Sequence, residues 1–146
     1  MLYRIIYLSS AIHLPSDADI DTILAVSRRN NRRDDITGLL ICHDGSFFQV
    51  LEGPRQAVET CYDRICRDPR HNSQINLWHG DVAARVFAEW QMGFARFDDL
   101  AGGVPGLRRL GDLARGGDGE IPDRVVTLLM TSFLRSFRDL PTARAG

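Results

Sequence analysis

Residues 2–9 (LYRIIYLS) form a mainly apolar, aromatic-rich and β-branched segment, the pattern of a central strand. Pro15 and Ser16 then predict a helix start, with Ser16 and Asp19 as the Ser-x-x-acid entry signal. Ile20, Ile23 and Leu24 supply its apolar stripe, and the polar run 28–35 is expected to close it. Residues 36–43 (ITGLLICH) and 46–53 (SFFQVLEG) flank Asp44-Gly45, which predicts a hairpin. Pro54 fits a first helical position, and Val58, Cys61, Tyr62 and Ile65 recur at helical spacing. Residues 54–67 therefore read as a second amphipathic helix, stopped by Asp68-Pro69. Two more strands are expected, around 74–82 and 87–97.

This order is β-α-β-β-α-β-β. The right-handed crossover rule puts both helices on one face of the sheet. The expected fold class is α+β: a ferredoxin-like βαββαββ unit with a five-stranded mixed sheet and two helices on one face. Residues 1–97 form this unit and 98–146 a C-terminal extension. Within the extension, residues 101–120 hold seven of the thirteen glycines and read as a connector. Residues 122–140 carry Val126, Leu129, Phe133, Phe137 and Leu140 along one stripe, an amphipathic helix. Two helices leave the second sheet face bare although its strands are apolar on both sides. The C-terminal helix, or a partner chain, is expected to cover it.

Composition narrows the chemistry. The chain has 146 residues, 44% hydrophobic and 25% charged, with formal net charge −1, which suits one globular domain. A balanced charge offers no field for nucleic acid. All 18 basic residues are arginine, so Schiff-base chemistry, a phosphate-loop lysine and a lysine base are excluded. No apolar run nears the ~18 residues that span a bilayer, and the N-terminus lacks a signal peptide's layout. Cys42, Cys61 and Cys66 form no CxxC and are expected to be buried, reduced thiols of a cytoplasmic protein. His13, His43, His71 and His79 show no metal-ligand spacing. No hydrolase or transferase motif is present, and no enzymatic activity is expected.

Some residues need more than a fold. Gln49 shares a strand face with Phe47 and Leu51, and a buried carboxamide without partners costs about 1–3 kcal/mol. Tyr7, on the face of Tyr3, Ile5 and Ser9, has the same need for its hydroxyl. Either the two bond each other, or both bond something held between helices and sheet. Asn30 and Asn31 end the first helix as C-caps, or present donors and acceptors to a planar ligand edge. Arg64, Arg67, Arg70 and His71 are a solvated face that suits a helix C-terminus, or an anion clamp. Trp90, Met92 and Phe94 share parity on the last strand, as core or as site.

The motifs RIIYLS, RRNNRRDDITGLL, GSFFQVLEGP, RICRDPRH and FAEWQMGF, in this order and spacing, resemble the BLUF family of flavin-based blue-light sensors. The resemblance covers residues 1–97. It implies non-covalent FAD held between the two helices, with Ile23 among the apolar residues that sandwich the ring. It implies Tyr7 as electron donor and Gln49 as proton relay, with Asn30 and Asn31 on the polar edge of the flavin. Arg64 and His71 match positions that line the flavin or its phosphates. Trp90 and Met92 match the positions associated with signal transmission. Without an effector domain, the output is expected to act in trans on a downstream protein or through a homo-oligomer. Two rival readings are an acylphosphatase-like enzyme and an interaction domain of the same fold whose pocket is filled by side chains. The first lacks its glycine-rich loop beside an early arginine, and leaves Gln49 without a role.

Overall fold

The computed structural model describes residues 2–11, 16–43, 45–68, 71–88, 92–96 and 124–138. Strand β1 is Leu2–Ala11, helix α1 Asp17–Asp34, β2 Thr37–His43 and β3 Ser46–Pro54. Helix α2 follows as Arg55–Arg67, then β4 His71–Val82, β5 Gly93–Arg96 and α3 Arg124–Arg138. The strands lie in the order β4-β1-β3-β2-β5. Neighbours are antiparallel except β5, which runs parallel to β2. The α+β class is the one expected.

Local chemistry explains the element ends. Ser16 Oγ accepts the Asp19 N–H at 3.1 Å while the Asp19 carboxylate accepts the Ser16 N–H at 3.0 Å, a reciprocal cap at the start of α1. At the other end Asp35 takes a left-handed conformation, φ 59°, and the Ile36 N–H reaches the Asn31 carbonyl at 2.8 Å. Gly45 follows β2 at φ 78°, a conformation glycine adopts without strain. Gly38 is needed for a different reason: a Cβ there would lie 1.9 Å from the Val50 carbonyl oxygen of the adjacent strand.

Alternation along the strands builds two cores. On one face Tyr3, Ile5, Tyr7, Leu40, Phe47 and Leu51 pack with Ile20 and Leu24 of α1 and Val58 and Cys61 of α2. On the other, Ile6, Leu39, Ile41, Phe48 and Val50 pack with Val86 and Phe87 and with Val126, Met130 and Phe133 of α3. The Phe48 and Phe133 rings lie 5.5 Å apart.

Four expectations need correction. Asn30 and Asn31 do not end α1; the helix continues through Asp34 because Asp35 provides the left-handed cap. Pro54 closes β3 instead of opening the helix, which starts at Arg55. The last strand does not begin at 87: β5 starts at Gly93, and Phe87 is drawn into the α3-side core. Cys42 and Cys61 are buried free thiols, but Cys66 is exposed. Pro15, Asp44, Pro69, Arg70, Trp90, Leu140 and the 101–120 connector lie outside the described residues, as does the side chain of His71.

Candidate functional site

Tyr7 and Gln49 are direct cross-strand partners at the centre of the sheet, where β1 meets β3. Their side chains emerge on the α1/α2 face, 1% and 8% exposed. The Tyr7 hydroxyl donates to Gln49 Oε1. Because the phenol takes the amide oxygen, the amide N–H group is left for another acceptor, and Gln49 Nε2 lies 3.4 Å from Met92 Sδ. Of the two alternatives above, the phenol and the carboxamide bond each other. Burial pushes the Tyr7 phenol well above its ordinary pKa of 10.0, with Cys61, Tyr62 and Cys66 adding in the same direction. It therefore stays a protonated donor at neutral pH. The Tyr62 ring packs edge-on against Tyr7 at 5.0 Å. Burial, aided by Cys66, pushes the Tyr62 phenol up to about 12.

A cleft opens above this pair, between α1 and α2. Leu40, Phe47, Leu51, Gln49 and Ser9 form its floor, Ile23 and Val26 one wall, and Cys61 and Ile65 the other. Ser27, Asn30 and Asn31 line it from the later turns of α1, and Arg64 and Asp68 from the end of α2. Asn31 is buried. Arg64 is half-exposed, its Nη2 3.8 Å from Asp34 Oδ2. Ser9 Oγ is buried here and has no hydrogen-bond partner among the described residues. Such an atom calls for a partner, which a polar atom of a bound molecule would provide. Apolar walls, three carboxamides (Asn30, Asn31 and Gln49) and an orphaned hydroxyl suit a planar heteroaromatic ring with a polar edge. The residues present therefore fit a flavin.

Of the residues singled out in the sequence, Ile23, Asn30, Asn31, Gln49 and Arg64 line this one cleft, and Tyr7 and Met92 bond to its floor through Gln49. Three further residues belong to the site. Ser9 is legible in the sequence only through its parity with Tyr7. Tyr62 shows there only as part of a helical stripe. Arg28, whose Nε donates to the Met92 carbonyl at 3.0 Å, gave no sequence signal. Among the described residues no cluster of His, Cys, Asp and Glu is placed to hold a metal ion, and no helix is long and apolar enough to cross a membrane.

Comparison with known proteins places the chain in a family. A family model for BLUF, sensors of blue light using FAD, matches residues 2–93. The chain is 36% identical over 92 residues to the blue light- and temperature-regulated antirepressor BluF of Escherichia coli, covering 61% of this chain and 22% of that protein. It is 35% identical over 115 residues to photoactivated adenylate cyclase subunit beta of Euglena gracilis, covering 78% and 13%. The chain thus spans less than two thirds of either curated relative. Among solved structures, the dark state of BlrB, a BLUF protein, aligns with a TM-score of 0.68 at 32% identity, covering 78% of this chain and 92% of that one. Klebsiella pneumoniae BlrP1 with FMN and cyclic diGMP aligns with a TM-score of 0.74 at 28% identity, covering 97% and 37%.

Proposed function

The chain belongs to the BLUF family, sensors of blue light using FAD, and from that premise we propose that it is a photoreceptor module holding FAD non-covalently in the α1/α2 cleft, with Tyr7 and Gln49 as its photochemical pair. The observation that carries this reading is the hydrogen-bonded chain from Tyr7 through Gln49 to Met92 at the cleft floor. When bound, the flavin supplies an excited state able to accept an electron. Tyr7 is the nearby donor, a buried phenol whose proton is already directed at Gln49 Oε1. Gln49 relays that proton as the electron leaves Tyr7; both then return to Tyr7, restoring the phenol, and the Gln49 amide is left rearranged. Asn30 and Asn31 hold the polar edge of the ring, and Ile23 packs on its face. Arg64 and His71 serve the phosphate-bearing portion.

Half a turn of the Gln49 amide explains how the change leaves the cleft. It would bring Oε1 against Met92 Sδ, two acceptors face to face, and the present contact would be lost. One such bond is worth only about 1 kcal/mol net, whereas inverting a two-state population from 1:99 to 99:1 takes about 5.5 kcal/mol. Other contacts must therefore move with it. Met92, together with Trp90, passes the change to α3, and from there to a downstream protein or a second copy of the chain in the cytoplasm.

Absorption spectroscopy tests the reading. Purified protein should be yellow, and its flavin band should shift slightly to the red under blue light. Protein that stays colourless after soaking with excess FAD rejects it.

A further inference from the structure

Glu52 belongs to the third-strand motif, yet the light chemistry gives it nothing to do. Its side chain is completely buried beside that of Arg4, on the sheet face opposite the cleft. Arg4 Nε donates to Glu52 Oε2 at 2.9 Å, and Arg4 Nη2 lies 2.8 Å from the same oxygen. The carboxylate also accepts two successive main-chain N–H groups, Val86 at 2.9 Å and Phe87 at 2.9 Å. Arg4 Nη2 donates to the Ala84 carbonyl at 3.3 Å. Two carboxylate oxygens on two consecutive amides fix the direction of that backbone as well as its position.

What this grip holds is informative. Val86 and Phe87 belong to the core shared with Val126, Met130 and Phe133 of α3. Met92, five residues further on, belongs to the core on the other side of the sheet. There its sulfur faces Gln49 Nε2, and Arg28 holds its carbonyl. Within a few residues the chain therefore has one fixed point at the cleft and another under α3. Without the hold of Glu52 on Val86 and Phe87, a displacement at Met92 would not bear on α3. With the far end fixed too, the displacement loads Phe87 and the helix packed on it, because a close-packed core transmits strain. We infer that Glu52, paired with Arg4, is a positioning residue for signal output: it secures Val86 and Phe87 against α3 so that a change at Met92 reaches that helix. This rests on the proposed light-driven rearrangement of Gln49.

The full chain with FAD, compared in dark and light by hydrogen exchange and absorption, tests it. Wild type should show the red shift together with a light-dependent change in α3 protection. Glu52→Gln should keep the red shift and the dark-state protection of α3 and lose the light-dependent change. A role confined to stability would instead lower dark protection in β1 and β3 and leave the α3 response intact, which overturns the inference. Where Glu52→Gln fails to fold because Arg4 loses its carboxylate, Arg4→Met/Glu52→Gln removes both charges, and the same outcomes decide. A wild type without a red shift defeats the photoreceptor reading and this inference with it. A red-shifting variant with a wild-type α3 response defeats this inference alone.

Discussion

The two faces of the sheet bury polarity in opposite ways. The cleft face buries neutral groups, Tyr7, Gln49, Asn31 and Ser9, each able to donate and accept. The α3 face buries a full ion pair, Arg4 with Glu52, beside the apolar core under α3. Neutral amphoteric groups can exchange roles at a cost of about 1 kcal/mol per bond. A buried charge has no such freedom, since losing its partner costs about 3–5 kcal/mol. One face can thus exchange its hydrogen bonds, while on the other a charge pair fixes the segment through which α3 would be reached.

The contrast can be broken most severely at the rigid face. Glu52→Ala should lower unfolding stability by about 3–5 kcal/mol in urea denaturation, because Arg4 and two amides lose their acceptor. Phe133→Ala should cost about 3 kcal/mol through the cavity left against Phe48, with the flavin red shift unchanged. A shift lost together with that stability would show that the two faces are not separable.

On the cleft face the effects on stability are smaller and those on photochemistry larger. Tyr7→Phe should cost about 2 kcal/mol, retain FAD and abolish the red shift, and Gln49→Leu should also bind FAD and stay dark-like. Tyr7→Phe should alter the alkaline limb as well. The folded phenol ionises well above 10.0 and the unfolded one near it, so the unfolded state loses its proton first. Wild-type stability therefore falls as pH rises past 10, and less steeply in the variant. Ser9→Ala is the mildest change: apoprotein stability should hold while the FAD dissociation constant rises roughly fivefold, about 1 kcal/mol, in a fluorescence titration.

The sequence revealed what short spacing encodes. The Ser16–Asp19 cap, the apolar stripes of α1 and α2, and the shared face of Gln49 with Phe47 and Leu51 were all readable within a few residues. Tyr7 and Gln49 could be named because each was a polar group that its strand could not satisfy alone. The grip of Glu52 on Val86 and Phe87 was not legible, because it joins positions 34 and 35 residues apart and leaves no periodicity. Arg28 and Met92, 64 residues apart, were hidden for the same reason. The misplaced end of α1 has a local cause. Asparagine is a good C-cap, but here the left-handed conformation fell to Asp35, leaving both carboxamides inside the helix beside the cleft.

The short strand β5 sits at the margin of the sheet, and among the described residues four register pairs bind it to β2. Peripheral ladders of that size fray before central ones as a protein is warmed. Met92 directly precedes that ladder, so loosening of β5 would carry the sulfur away from Gln49, and amide exchange on warming should quicken in β5 before β1 and β3.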